Sequence, residues 1–128
     1  MGKIIVRDLE SVEPTIFKDR ESRRLISPER DKSERMSLHR IFRYERGISY
    51  EVHYPKNDEI LYILNGEGYI FEGQEKYPFK TGSSLFIPEG TPYRVYNTSD
   101  LEMLAILSPP RYRKEWQERE DLVKLEND

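Results

Sequence analysis

Cysteine is absent from the 128 residues, which excludes disulfides, thiolate metal sites and cysteine nucleophiles. Histidine is almost absent. His39 and His53 are the two imidazoles available as bases or ligands. Long apolar runs are missing, so no membrane partner is expected. The opening stretch, Met1-Gly2-Lys3-Ile4-Ile5-Val6-Arg7, turns charged at once and has neither the apolar region nor the cleavage site of a secretory signal. The cytoplasm is therefore the expected compartment. Positive charge is not in excess. The formal net charge is -3, which argues against a nucleic-acid partner held by phosphate neutralisation. The glycines are scattered rather than gathered between a strand and a helix, so no phosphate cradle is expected. No serine has the context of a nucleophile elbow.

What is present is the pattern of a small all-β domain. The length suits one domain, 1–128, with one core. Alternation and turn residues predict short strands over 4–6, 24–26, 36–44, 48–54, 59–65, 69–72, 76–79, 85–87, 93–96 and 101–107. The segment 29–35 reads as a charged loop. Asn65-Gly66 offers a hairpin turn, because both residues tolerate positive φ. Regularly spaced short strands indicate a sandwich or barrel, with its core over about 24–108. Pro109-Pro110 ends that pattern. Beyond it, Tyr112, Trp116, Glu120 and Val123 recur at helical spacing and predict a short C-terminal helix over about 111–125.

Two glycine-bearing segments organise the middle of the chain. In the first, Gly47, His53, Glu59 and Gly66 stand at spaced intervals. In the second, Gly82, Pro88, Gly90, Tyr93 and Asn97 do so. These frames resemble the paired motifs of the cupin superfamily. That family's first motif carries His-x-His followed by a glutamate, and its second carries a later histidine and an asparagine. Here Pro55 stands where the second histidine of the pair belongs, and Tyr93 where the later one belongs. The resemblance implies an antiparallel double-sheet barrel, or jelly roll, with the motif residues pointing into its mouth. It also implies a structural role for Asn97.

The resemblance further implies a divalent transition metal, namely iron, manganese, nickel, copper or zinc, held by His53, Glu59 and Tyr93. The incomplete ligand set leaves a metal-free pocket as the alternative. Period-two geometry places Ser49, Glu51 and His53 on one face of their strand, Glu59, Leu61 and Ile63 on one face of theirs, and Tyr93 with Val95. The expectation is that His53, Glu59 and Tyr93 converge, with Glu51, Tyr50, Tyr62 and Arg94 lining a substrate pocket. His39 joins them if its strand faces inward, which the sequence leaves open.

Three functions follow from the resemblance. The first is a small-molecule-binding protein, metal-dependent or not. The second is a metal-free sugar epimerase or isomerase, with His53 as base and Tyr93 as acid. The third is a non-catalytic module sensing a sugar or an organic acid. A homodimer is expected, because sheet edges need covering.

Overall fold

Two antiparallel sheets face one another in the computed structural model, which describes residues 2–126. The larger is seven-stranded. It holds β1 (Thr15–Phe17), β2 (Arg20–Ile26), β3 (Ser37–Arg43), β5 (Asp58–Asn65), β8 (Ser84–Ile87), β10 (Leu101–Ser108) and β11 (Leu122–Lys124), in the order β11-β1-β2-β3-β10-β5-β8. The smaller is four-stranded, β4-β9-β6-β7. Its strands are β4 (Gly47–Ile48), β6 (Gly68–Glu72), β7 (Glu75–Phe79) and β9 (Arg94–Asn97). This is the expected all-β double-sheet barrel. No helix among the described residues is long and apolar enough to cross a membrane.

The alternation in β5 and β10 sets the core. Leu61 and Ile63 of β5 pair across the ladder with Ala105 and Met103 of β10, and all four are buried. Leu101 of β10 and, from other strands, Ile70, Ile87 and Val95 fill the space between the sheets. A second cluster forms at one end of the barrel, where Phe17, Tyr54 and Leu107 pack around Trp116. Trp116 lies on α2, which spans Arg113–Gln117.

Several local expectations differ from what forms. Residues 4–6 are not a strand; Ile4 and Val6 are exposed and pair with nothing. The charged stretch after Ser27 makes one helical turn, α1 (Pro28–Asp31), started by proline and capped by the Ser27 hydroxyl, which accepts from Arg30 N at 3.3 Å. The C-terminal helix stops at Gln117 instead of running to residue 125. The chain then returns as β11 to pair with β1. Ionic contacts explain the return. Asp121, fully buried, accepts from Arg20 at 2.9 Å and from Arg119 at 2.8 Å, and Glu126 is bound by Arg24 of β2.

Asn65-Gly66 is not a hairpin turn either. β5 pairs with β10 and β8, whereas β6 pairs with β7 and β9, so this corner carries the chain from one sheet to the other. Gly66 sits there at φ 118°, and a Cβ would lie 2.8 Å from Asp100 O. Gly68 is tighter. Its missing Cβ would lie 2.0 Å from the carbonyl oxygen of Tyr96 on β9. Gly68→Ala is expected to destabilise by about 3 kcal/mol, the upper end for overpacking, because the obstacle is backbone. Urea unfolding measures this. An unchanged midpoint would mean β6 and β9 part easily.

Candidate functional site

Glu59, the second residue of β5, faces inward and is only 2% exposed. Tyr93 lies just before β9, where it bridges Val52, and is likewise buried. The Tyr93 hydroxyl donates to Glu59 Oε1 at 2.5 Å. Burial raises the Glu59 carboxyl to about 7, opposed by the hydrogen bond from Tyr93 and by the charges of Arg20 and Arg111. Burial and the neighbouring Glu59 also hold the Tyr93 phenol well above its ordinary value. The carboxyl therefore changes charge near neutral pH, while the phenol keeps its proton. A buried acid tuned to neutrality beside a fixed donor is the usual equipment for general acid–base chemistry.

Tyr93 is a wall shared by three spaces. On the Glu59 side lies a cavity of about 30 Å³, bounded by Phe17, Arg20, Tyr54, Glu59, Tyr93 and Trp116. That is room for about one water. Between β6, β7 and β8 lies a larger cavity of about 360 Å³. Ile70, Leu85 and Ile87 give it an apolar lining, Tyr77, Phe86 and Tyr93 supply rings, and Glu72 is its one charged residue. A neighbouring depression of about 360 Å³ shares Glu72 and Tyr93 and adds Glu51 and Arg94.

The residues expected to converge do so in part. Glu59 and Tyr93 meet. His53 does not join them, for it is exposed and borders none of these cavities. The reason is a change of phase. Between Arg43 and Asp58 only Gly47 and Ile48 form strand, and Val52 makes a single bridge. Ser49 is buried as expected, but beyond it Val52 and Tyr54 turn inward while Glu51 and His53 turn out. Tyr54 thus occupies the inward place given to His53.

The expected pocket residues scatter too. Tyr50 borders the small cavity, whereas Glu51 and Arg94 border the outer depression. Arg94 also donates to Ser49 O at 2.9 Å. Tyr62 is on the outer face of the larger sheet, because it is out of phase with Glu59, Leu61 and Ile63. His39 is buried on β3, its Nε2 3.1 Å from Ser37 Oγ and its ring 5.4 Å from that of Trp116. Burial and nearby Arg24 lower it to about 3, so it is a neutral packed imidazole. Asn97 binds Arg43 Nε through its Oδ1 at 2.8 Å and donates to Ser99 O at 2.7 Å.

Sequence reasoning missed Tyr54, Arg20 and Trp116 at the small cavity, and Glu72 and Tyr77 at the larger one. The period-two relation of Tyr54 to Val52 was the available signal for the first. Arg20 is placed by ion pairs with Asp19 at 2.8 Å and Asp121 at 2.9 Å, and its guanidinium lies 4.0 Å from the centre of the Phe17 ring.

The groups gathered at the small cavity do not fit the metal that the resemblance implies. They offer one carboxylate, Glu59, and two phenols, Tyr54 and Tyr93, whose ionisation burial opposes. No imidazole reaches them. Among the described residues, no three of His, Cys, Asp and Glu stand close enough to hold an ion.

Comparison with known proteins agrees with the barrel. A model of the cupin domain matches residues 40–108. An uncharacterized protein of Methanocaldococcus jannaschii is 32% identical over 112 residues, covering 84% of this chain and 89% of that one. The crystal structure of ectoine synthase from P. lautus is similar with a TM-score of 0.80 and 25% identity, over 95% of this chain and 90% of the other. The polyketide cyclase RemF from Streptomyces resistomycificus shares the fold, with a TM-score of 0.68 and 21% identity over 87% and 82% of the two chains. With its motif frame, its barrel and these relatives in agreement, the chain belongs to the cupin family.

Proposed function

We propose that the protein binds a small, uncharged organic molecule such as a sugar in the 360 Å³ cavity, where the Glu59–Tyr93 pair handles a proton. One observation carries this reading: Tyr93 forms part of the wall of the 360 Å³ apolar cavity, and it is hydrogen-bonded to a buried carboxyl that burial raises to about 7. A proton taken from the ligand at Tyr93 Oη is matched by Tyr93's own proton passing to the Glu59 carboxylate. The return path donates to the ligand. Glu59 thereby takes the role of base that the sequence suggested for His53.

The cavity walls favour an uncharged ligand over an organic acid. Their one charge is the Glu72 carboxylate, and no Lys or Arg lines them. Tyr77, Phe86 and Tyr93 offer ring faces for stacking. Similarity to an ectoine synthase over 95% of the chain supports an enzyme rather than a sensor.

The test is a calorimetric panel of neutral sugars and small organic acids. Leu85→Trp, which fills the cavity, should reduce the affinity of any bound sugar at least tenfold. Tyr93→Phe and Glu59→Gln should leave binding within about threefold and abolish turnover. Binding indifferent to Leu85→Trp would remove the cavity from consideration. Tighter binding of acids would overturn the charge argument, and turnover surviving both polar substitutions would overturn the proton role.

A further inference from the structure

The 30 Å³ cavity beside Glu59 has more polar groups on its walls than the proton step above uses. Several are already engaged. The Tyr93 hydroxyl donates to Glu59 Oε1, and Arg20 Nη1 donates to Asp19 and Asp121. Ser49 Oγ donates to Tyr50 O and accepts from Val95 N. Three others make no hydrogen bond among the described residues: the buried Trp116 indole N–H, the Tyr54 hydroxyl and Glu59 Oε2.

The indole is held firmly. Trp116 is 5% exposed, and the rings of Phe17 and Tyr54 stand edge-on to it at centroid distances of 6.1 and 6.2 Å. Buried polar groups in folded proteins find partners, and a cavity of one-water size with polar walls supplies them. The three groups suit one water in kind. An indole only donates, a carboxylate oxygen only accepts, and a phenol does either.

We infer that this cavity binds one water, held by the Trp116 N–H, the Tyr54 hydroxyl and Glu59 Oε2, and that Trp116 and Tyr54 are positioning residues for Glu59. Their part in a reaction rests on the proton role proposed above. With Glu59 ionised, the water accepts from Trp116 and Tyr54 and donates to Oε2. With Glu59 protonated, the acid hydrogen lies on Oε2, because Oε1 is taken by the Tyr93 hydroxyl. Oε2 then donates to the water, and the water turns a hydrogen to the Tyr54 oxygen. The phenol alone reverses its role, so both charge states of Glu59 are satisfied without displacing a side chain. The two oxygens thereby divide the work. The carboxyl sheds its hydrogen from Oε2 into this cavity before it takes one from Tyr93 at Oε1.

The neighbouring charges stay fixed while Glu59 titrates. Arg20 and Arg111 act on it as cations. Burial and Glu59 itself hold the Tyr54 and Tyr93 phenols above their ordinary range. His39, 5.4 Å from the Trp116 ring, is lowered to about 3 and is neutral in this window.

Magnetic resonance reads the site with no ligand other than water. Trp116 is the one tryptophan, so its indole N–H gives a single resonance. That resonance should show direct contact with water. Between about pH 5 and 9 it should also move in one step with the Glu59 carboxyl, a step lost in Glu59→Gln. Replacing Trp116 by benzothienylalanine keeps the bicyclic shape and removes the N–H. It should raise the midpoint of the Glu59 carboxyl band in the infrared by about 0.5–1 pH unit, roughly a three- to tenfold loss of acidity, because the water loses the donor that orients it toward the carboxylate. Tyr54→Phe should move the midpoint in the same direction and keep the contact between indole and water. A wild-type indole without water contact, or a midpoint unmoved by both substitutions, overturns the inference. A step that survives in Glu59→Gln overturns the link to Glu59. Water contact and titration as expected, with no turnover of any sugar in the panel, would count against the function proposed above alone.

Discussion

Asp19→Ala is expected to lower the free energy of unfolding by about 3–5 kcal/mol, the range for removing one partner of a buried ion pair. Asp19 is buried between two guanidiniums. Its Oδ1 accepts from Arg20 Nη1 at 2.8 Å and its Oδ2 from Arg43 Nη1 at 2.7 Å. Arg20 keeps Asp121 when Asp19 is removed. Arg43 keeps only uncharged acceptors, Asn97 Oδ1 at 2.8 Å and the carbonyls of Gly47 and Glu45. A guanidinium left in the interior without a carboxylate is the dominant cost. Replacing Arg43 by Met in the same chain should therefore recover much of the loss, since the charge goes with its partner. Chemical denaturation of the single and double variants decides this. A loss below about 1 kcal/mol for Asp19→Ala would mean water reaches the cluster.

The second large effect concerns pH. Glu59 is raised from an ordinary value near 4.5 to about 7 by burial. The folded protein holds that proton more tightly than the unfolded chain. The associated stability is fully present below about pH 4.5, falls by about 1.4 kcal/mol per unit between 4.5 and 7, and is gone above 7. Glu59→Gln keeps an acceptor for Tyr93 and removes the titration. The stability of the variant minus that of the wild type should rise by about 3 kcal/mol from pH 4.5 to 8. His39 works in the opposite direction. Its value is lowered to about 3, so its contribution is present above about 6.5 and lost as pH falls toward 3. Between about pH 4.5 and 6.5 the two slopes nearly offset, so within that window the wild-type profile conceals both. The difference profile exposes Glu59. A flat difference would show that its carboxyl is hydrated.

The barrel was legible because the inward positions of β5 and β10 repeat every second residue and the motif glycines fall at turns. Gly47, Gly66, Gly82 and Gly90 all have positive φ, which side chains resist. The pairing of Glu59 with Tyr93 was legible from the same period. His53 was not, because parity carries across a continuous strand, and residues 49–57 follow a strand only briefly. Tyr62 could have been placed outside from its offset to Glu59. β1 and β11 were hidden for a different reason. Three-residue strands carry too few positions to show a period, and their pairing is fixed by ion pairs between residues far apart in the chain. The filling of the barrel by Tyr54 and Trp116 depends on those same remote contacts.

Those contacts also order events in time. Arg20 meets Asp121 across 101 positions, and Arg24 meets Glu126 across 102. During synthesis these N-terminal strands are made long before Asp121 and Glu126 exist, at a stage when Arg20 and Arg24 can pair with the nearby Asp19 and Glu29. The larger sheet gains its last edge, β11 on β1, only after nearly the whole chain has been translated.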